Sequence, residues 1–392
     1  MPSATSDVSL LEPTDAGLIS QAVREAALTR FAELASGRER PNRYWKIDLE
    51  AFALGDIDVA PAVFSPTITS KPARGLIACD LAKARIDHAD LLERAFGAAV
   101  ARHPAKFGAL ATAFANAGAF IYVPPGVVVD EPITIAYRTN ERSAFPYTLV
   151  FAGSGAQCTV VERIETGEGG FVCGVSEVVT EAGAHVTYAS VQTHDPQTRS
   201  FMTRAALPGA DATVTLADAE LGGSLALCDI DVTIAQRGVH ATIAALFFPA
   251  GDEHVDVTST VSHDIGQSRS ETVVKSAGTG SGQVRYLGNI RIAANAQGSQ
   301  AFLRDDALLL SRAAHVDSVP ALEIAANDVK AFHGATVGAI DEEQLFYMTS
   351  RGLDRSQAEK MIALGFFEPV IAHFPTEALR EEIRHALEAK VR

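Results

Sequence analysis

The segment "NDVKAFHGATVG", residues 327–338, carries one histidine whose imidazole could bind a metal ion. His333 lies between a run that is typical of a β-strand and a run that is typical of a helix. Gly334 follows it and permits a sharp turn, which would leave the imidazole at the rim of the fold. A neutral imidazole is a competent iron or persulfide-site ligand near physiological pH, and Ala331 offers no thiol beside it. Spacing alone favours a different interpretation, in which His333 is a hydrogen-bonding turn residue.

A second polar stretch, "SHDIGQSRSETVVK", contains the residue types of an acid–base site. His263, Asp264, Ser268 and Lys275 are of the kinds that β-helix enzymes use to cleave polysaccharides. Polar residues on the solvent-facing side of strands are ordinary, so the same pattern also fits a solvated strand face. A polysaccharide lyase or hydrolase therefore stays open as an alternative function.

The other reactive residues form no recognisable motif. The cysteines are far apart and show no two-residue spacing, which predicts reduced, buried thiols: Cys79, Cys158, Cys173 and Cys228. The glycine-rich run "AGTGSGQ", residues 277–283, lacks the Gly-Lys-Ser/Thr ending of a phosphate-binding loop and is interpreted as a flexible corner. No Walker, Gly-x-Ser-x-Gly or His-Glu-x-x-His sequence occurs in the chain.

Charge and hydropathy limit the partners. The chain has 392 residues and a formal net charge of −15, with its acidic residues scattered along the sequence. This argues against a nucleic-acid or anionic-membrane surface. The first residues show no signal peptide, and no window approaches a spanning helix. We therefore expect a soluble, cytoplasmic protein.

A loose repeat indicates the architecture that must position these residues. "GAQCTVVE", "GAHVTYAS", "GADATVTL" and "GVHATIAA" begin at Gly155, Gly183, Gly209 and Gly238, so their starts differ by 28, 26 and 29 residues. Short strands at this period, with glycine at the corners, suit a solenoid. A β-sandwich is the competing interpretation, but its turns would recur every ~8 to 12 residues with no longer period. We therefore predict a β-helix.

Both ends of the chain have a helical pattern. An amphipathic helix is predicted within residues 15–36 and another within 87–100, behind an Asp87 cap. At the other end, Asp341, Asp354 and Thr376 are predicted to begin three helices; the glutamine three residues after Asp354 completes a capping box. The predicted domains are residues 1–115, mostly helical; residues 116–330, the β-helix core; and residues 331–392, helical.

Several segments resemble the SufB/SufD family of the SUF iron–sulfur cluster assembly machinery. They are "GNIRIAANAQGSQAF", "ALLLS", "LEIAANDVKAFHGATVG", "LFYMTSRG", "RYWKIDLEAF" and "FIYVPPGVVVDEPITI". "HGAT" at 333–336 is similar to the SufD form, because SufB commonly has glutamate after that histidine. The resemblance implies a right-handed parallel β-helix flanked by an N-terminal mixed or helical domain and a C-terminal helical domain. The chain departs from the family at Ala331, where cysteine is common, and at "RDD", residues 304–306.

The resemblance also implies a function. It predicts a non-catalytic scaffold that pairs with SufB, binds the ABC-type ATPase SufC, and supports cluster assembly and iron acquisition. His333 then becomes a ligand at a cluster site shared with SufB. The iron–sulfur cluster is expected to be transient and to require SufB, with none in the isolated chain. A SufB-like protein acting alone is disfavoured by Gly334.

Two surfaces are predicted for partners. The short helix around "LFYMTSRG" is expected to bind the ATPase through Leu345, Phe346, Met348, Arg351 and Gly352. Late strands around residues 283–310 are expected to present an open edge that pairs with SufB or, in the isolated chain, with a second copy as a homodimer.

Overall fold

The computed structural model describes residues 18–34, 62–103, 105–140 and 142–391. The helices are α1 (Gln21–Glu33), α2 (Leu81–Asp87), α3 (Ala89–Ala95), α4 (Lys106–Phe114), α5 (Glu342–Ser350), α6 (Arg355–Ile371) and α7 (Glu377–Lys390), with a 3-10 turn at Val100–Arg102. The "RYWKIDLEAF" segment lies outside the described residues.

Strands dominate the middle of the chain. They are β1 (Thr67–Thr69), β2 (Ile77–Asp80), β3 (Ala117–Val123), β4 (Ile133–Arg138), β5 (Ser143–Ala144), β6 (Pro146–Ala152), β7 (Gln157–Glu165), β8 (Phe171–Thr180), β9 (His185–Gln192), β10 (Arg199–Leu207), β11 (Thr213–Glu220), β12 (Leu225–Ile234), β13 (His240–Phe247), β14 (His254–His263), β15 (Arg269–Gly278), β16 (Gln283–Ile292), β17 (Ser299–Leu309), β18 (His315–Ile324) and β19 (Val329–Ala339).

The strands form a parallel β-solenoid. Successive strands alternate between a sheet ordered β1-β4-β7-β9-β11-β13-β15-β17-β19 and a sheet ordered β2-β3-β6-β8-β10-β12-β14-β16-β18. From β6 onward each strand pairs in parallel with the strand one coil earlier in its sheet. The predicted β-helix is therefore confirmed, and the β-sandwich alternative is wrong.

The two sheets enclose a lumen that is lined mainly by apolar side chains. Every second residue of a strand points into the lumen. The parallel register places apolar side chains of successive coils in contact, as with Val186 and Val214, and Val214 and Ala241. The opposite faces are also covered, because helices α1 to α4 pack on the ten-stranded sheet and helices α6 and α7 on the nine-stranded one. Central strands are therefore buried on both faces.

The repeated glycines have two different roles at the corners. Gly155, Gly183 and Gly238 adopt positive φ angles of 66°, 67° and 74°. At the corresponding corner Asp211 takes the positive φ, at 56°. A Cβ atom on Gly209 would lie 2.5 Å from the carbonyl carbon of Glu181, so this glycine permits close approach of two coils.

The N-terminal region closes one end of the solenoid. Strands β1 and β2 pair antiparallel with β4 and β3 and so cover the first edge of each sheet. The helix predicted within residues 87–100 is shorter, because α3 ends at Ala95. Its predicted Asp87 cap is wrong: Asp87 is the last residue of α2, and His88 is the N-cap of α3. Among the described residues, no helix is both long and apolar enough to cross a membrane.

The C-terminal helices begin at their predicted caps, but the last strand extends past the predicted domain boundary. Strand β19 runs to Ala339, well past the boundary set at residue 331, because it pairs along its whole length with β17. The three caps are confirmed: Asp341, Asp354 and Thr376 each accept a backbone N–H in the first turn of a helix. Asp354 and Gln357 form the expected capping box.

Candidate functional site at the open end of the solenoid

The last coil leaves two strand edges exposed. β18 and β19 are the final strands of their sheets, and no other described strand pairs with their outer edges. Ile324, Phe332 and Val337 on these strands are exposed by 41%, 57% and 47%. Unpaired edges with exposed apolar side chains are templates for pairing with another chain. The open edge is thus one coil beyond residues 283–310, because β16 and β17 each have partners on both sides.

His333 lies in the middle of β19 and not at a turn. It stacks in register on Leu303, and Gly334 stacks on Arg304 with an ordinary extended backbone. The turn interpretation is wrong because the strand continues for as long as β17 offers a partner. His333 shares the lumen-side face with Ala331 and Leu303, which both contact the core. The imidazole is exposed because no further coil covers it.

A buried carboxylate lies just inside this end. Asp305 is on the lumen face of β17, fully buried, and directly beneath Ala335 of the last coil. Ser318 of β18 donates a hydrogen bond to its Oδ2 atom, whereas Oδ1 has no hydrogen-bond partner. Burial raises the pKa of Asp305 to about 6, and the bond from Ser318 opposes that rise. Asp305 and His333 are therefore an oxygen and a nitrogen donor on the same face of adjacent coils.

On the outer face, a buried ion pair holds the last strand in place. Lys275 Nζ lies 2.5 Å from Asp306 Oδ2, and Thr336 of β19 donates to Asp306 Oδ1 at 2.6 Å. Although burial raises the pKa of Asp306, these bonds and the charge of Lys275 hold it below its usual value. The two aspartates of "RDD" thus lie on opposite faces of β17: Asp305 faces the lumen, and Asp306 binds Thr336 of β19 on the outer face. Nothing in the sequence motifs marked Asp305 as a site residue.

The alternative acid–base site is not assembled. His263 is buried, with Nδ1 2.7 Å from Ser268 Oγ and Nε2 2.8 Å from Ser270 Oγ. Burial lowers the pKa of His263 to about 4, which keeps the ring neutral. Lys275 lies on the face of β15 opposite to Ser270 and is paired with Asp306. Asp264 is exposed. This stretch therefore presents no convergent acid and base to a substrate.

The predicted docking residues differ in accessibility. Leu345 is buried and packs within the chain, so it cannot contact a partner as predicted. Phe346 is 74% exposed, and its neighbour Tyr347 is stacked beneath Arg351, with 5.1 Å from the guanidinium carbon to the ring centroid. Met348 is half-buried, and Gly352 ends the helical turn with φ of 95°. An exposed aromatic surface therefore remains on α5.

The cysteines match the prediction in that none forms a disulfide. Cys158, Cys173 and Cys228 are buried, whereas Cys79 is partly exposed. Burial raises the pKa of Cys158 to about 12, so this thiol stays protonated at neutral pH.

Comparisons with known proteins agree with this geometry. Residues 135–366 match the family described as SUF system FeS cluster assembly, SufBD core domain, and residues 60–135 match the SufBD protein N-terminal region. Proteins named iron-sulfur cluster assembly SufBD family protein, from Staphylococcus saprophyticus, Staphylococcus epidermidis and Staphylococcus aureus, are each 27% identical over 309 residues. These alignments cover 78% of this chain but 66% of each relative, just under two thirds. With its parallel β-solenoid and helical ends, the chain belongs to the SufBD family of iron–sulfur cluster assembly proteins.

Proposed function

We propose that this chain is a SufD-like, non-catalytic scaffold subunit that acts in the cytoplasm. It pairs with SufB through its open coil, binds the SufC ATPase through its C-terminal helices, and supports cluster assembly and iron acquisition. The observation that carries the proposal is the exposed last coil, which places the His333 imidazole at an unpaired edge.

Pairing at this edge would complete both sheets. β18 and β19 have 10 and 11 residues, so the partner can form continuous backbone ladders along each strand. Phe332, Val337 and Ile324 would be removed from water at the same time. The same edge would pair with a second copy when SufB is absent, which makes a homodimer the expected state of the isolated chain.

This chain would supply only part of a cluster site. The last cysteine of the sequence is Cys228, so His333 and Asp305 offer nitrogen and oxygen donors and no thiolate. Iron–sulfur clusters are held mainly by thiolates. The partner must therefore provide the sulfur ligands, and the cluster is proposed to form only in the complex, as a transient product.

Replacing His333 with alanine is expected to leave the complex intact but to lower its cluster content by about tenfold or more, as loss of a ligand does. The measurement is iron and acid-labile sulfide in the complex purified anaerobically from cells. His315→Ala is the matched control, because His315 is also an exposed histidine of the last coil, on β18, and its Nε2 atom lies 3.4 Å from Asp317 Oδ1. Normal cluster content in the His333 variant would show that the imidazole is only a strand residue.

Phe346→Asp is expected to abolish recovery of the ABC ATPase when the tagged chain is purified from cells containing its natural partners. A charge on this exposed ring position removes an aromatic anchor and adds a desolvation cost at the contact. Ile86→Asp is the control, because Ile86 is 83% exposed but lies on α2. If wild-type chain recovers no ATPase, the proposed function is wrong; if both variants recover it equally, only the docking site is wrong.

The polysaccharide-enzyme alternative receives no support from the described residues. His263 is satisfied by two serine hydroxyls, and Lys275 by Asp306. Neither group is available to move a proton at a glycosidic bond.

A further inference from the structure

A second group of chemically active side chains lies deep inside the solenoid, several coils away from the open end. We call it the lumen cluster, and it comprises Gln192 of β9, Arg204 of β10, Asp218 and Glu220 of β11, and Cys228 of β12. The ligand-type atoms of Asp218, Glu220 and Cys228 all lie within 4.8 Å of one another. All five side chains are buried in the lumen.

Arg204 satisfies only part of this cluster. Its Nη1 atom donates to Cys228 Sγ at 2.9 Å, and its Nη2 atom is 2.9 Å from Asp218 Oδ1. Nη2 is also 3.3 Å from Glu220 Oε1 and 2.7 Å from Ser190 Oγ. One guanidinium therefore has to serve two carboxyl groups, a thiol and a hydroxyl.

The remaining acceptors have no donor. Glu220 Oε2 and Gln192 Oε1 are buried oxygens without a hydrogen-bond partner. The amide of Gln192 is fixed in the cluster, because its Nε2 atom donates to Ser190 Oγ at 3.2 Å. Buried acceptors are normally satisfied, because an acceptor without a donor loses the hydrogen bonds that water gives it in the unfolded chain. Arg204 Nε is a buried donor without a partner as well, but it bonds to neither Glu220 Oε2 nor Gln192 Oε1. These two oxygens therefore keep lone pairs that can bind a cation.

We propose that Asp218, Glu220 and Cys228 bind one divalent transition-metal ion of the Zn²⁺ or Fe²⁺ type, with Gln192 Oε1 as the fourth donor. Thiolate and carboxylate together suit such borderline ions and do not suit Mg²⁺ or Ca²⁺. Binding displaces the thiol proton and any carboxyl proton to solvent. The three negative charges of the ligands then balance the two positive charges of the ion and the one of Arg204. This site is separate from the open end and does not depend on the proposed scaffold function.

Arg204 is compatible with a bound ion because it contacts Asp218 Oδ1 and Glu220 Oε1 and leaves the second oxygen of each carboxyl group, Asp218 Oδ2 and Glu220 Oε2, for the ion. Its bond to Cys228 Sγ and its contact with Asp218 Oδ1 are those of an outer group that orients metal ligands. Cys228 Sγ is also 3.4 Å from Asp218 Oδ2, which brings the thiol proton next to a carboxylate that can accept it. Since the residues are enclosed, the ion must enter while the chain folds.

The competing explanation is a proton shared between the Asp218 and Glu220 carboxyl groups. A shared proton would also lower the net charge, but it would leave Gln192 Oε1 without a partner. The two explanations differ for Glu220→Gln. An amide imitates the protonated carboxyl and preserves the shared-proton arrangement, whereas it removes an anionic metal ligand.

The experiment uses the full chain, unfolded in denaturant with a chelator, desalted, and refolded with Co²⁺ as the probe. We expect about one Co²⁺ per chain after a second desalting, together with a near-ultraviolet thiolate-to-cobalt absorption band. Cys228→Ser and Glu220→Gln should each lower bound Co²⁺ by about tenfold or more. Cys158→Ser is the matched control, because Cys158 is another buried lumen cysteine and should keep both signals.

Circular dichroism of each refolded sample verifies that the solenoid has formed. Refolded wild-type chain that holds no Co²⁺ would overturn the proposal in favour of the shared proton. Equal binding by wild type and both cluster variants would also overturn it, since the ion would then lie elsewhere. Metal analysis of chain purified from zinc- or iron-supplemented cultures provides a second readout, with the same variants losing the ion.

Discussion

Arg204→Met is expected to lower the free energy of unfolding by about 3 to 5 kcal/mol, as is typical when one partner of a buried ion pair is removed. Arg204 is the only charged donor described in contact with Asp218 and Glu220, and all three side chains are buried. Methionine fills much of the same volume, so the loss reports the carboxyl groups left without a cation and not a cavity. Urea unfolding at neutral pH of chain refolded in a chelator is the measurement, because a divalent ion bound to Asp218 and Glu220 would offset the loss of Arg204.

The deficit should shrink as the pH falls. Burial raises the pKa of both Asp218 and Glu220, and the positive charge of Arg204 opposes this. Without the guanidinium, the folded chain retains protons that the unfolded chain releases, so its stability falls as pH rises and recovers towards acid pH. Arg269→Met is the control: its ion pair with Glu271 is exposed and 3.9 Å long, and its loss should cost less than about 1 kcal/mol. An unchanged urea midpoint at neutral pH for Arg204→Met would contradict the expectation.

The solenoid was predictable because its sequence signal is repeated. Gly155, Gly183 and Gly238 each take a positive φ at a corner of the coil, a conformation that favours glycine, so these corners can be recognised from residue type. The helix starts at Asp341, Asp354 and Thr376 were also predictable from local sequence, because each cap side chain accepts a bond from a backbone amide in the first turn of its own helix.

The strand conformation of His333 could not be predicted from the residues around it. Gly334 directly after His333 suggested a turn from the sequence alone. What keeps the chain extended is the ladder from β17, which pairs with all eleven residues of β19. That partner is about 30 residues earlier and cannot be inferred from local propensity.

The lumen cluster escaped prediction for a different reason. In "TVTLADAE" the usual rule places Asp218 and Glu220 towards solvent and Ala217 and Ala219 towards the core. Here both faces are buried: the alanines contact the C-terminal helices, and the acids face the lumen. Alternation identifies two faces of a strand, but it cannot say which face meets water when neither does.

Glu177→Gln is expected to lower the free energy of unfolding by about 3 kcal/mol, because it places amide hydrogens against buried donors. One carboxylate holds the N-terminal helical layer on the ten-stranded sheet. Glu177 accepts backbone N–H groups of Gly97, Ala99 and Val100 at 2.7, 3.0 and 2.9 Å, and the hydroxyl of Tyr147 as well. All four donors point at two oxygens, and glutamine retains only one of them.

Protection of backbone amides from hydrogen exchange can locate this effect. In the Glu177 variant, amides of residues 97–103 should exchange faster, while the amides of β16 and β17 should keep their wild-type rates, because the solenoid interior does not depend on this carboxylate. Glu165→Gln is the matched control, since Glu165 is exposed and pairs only with Arg138 among the described residues. Uniformly faster exchange along the whole chain would show instead that the helical layer and the solenoid unfold as one unit, with Glu177 stabilising both.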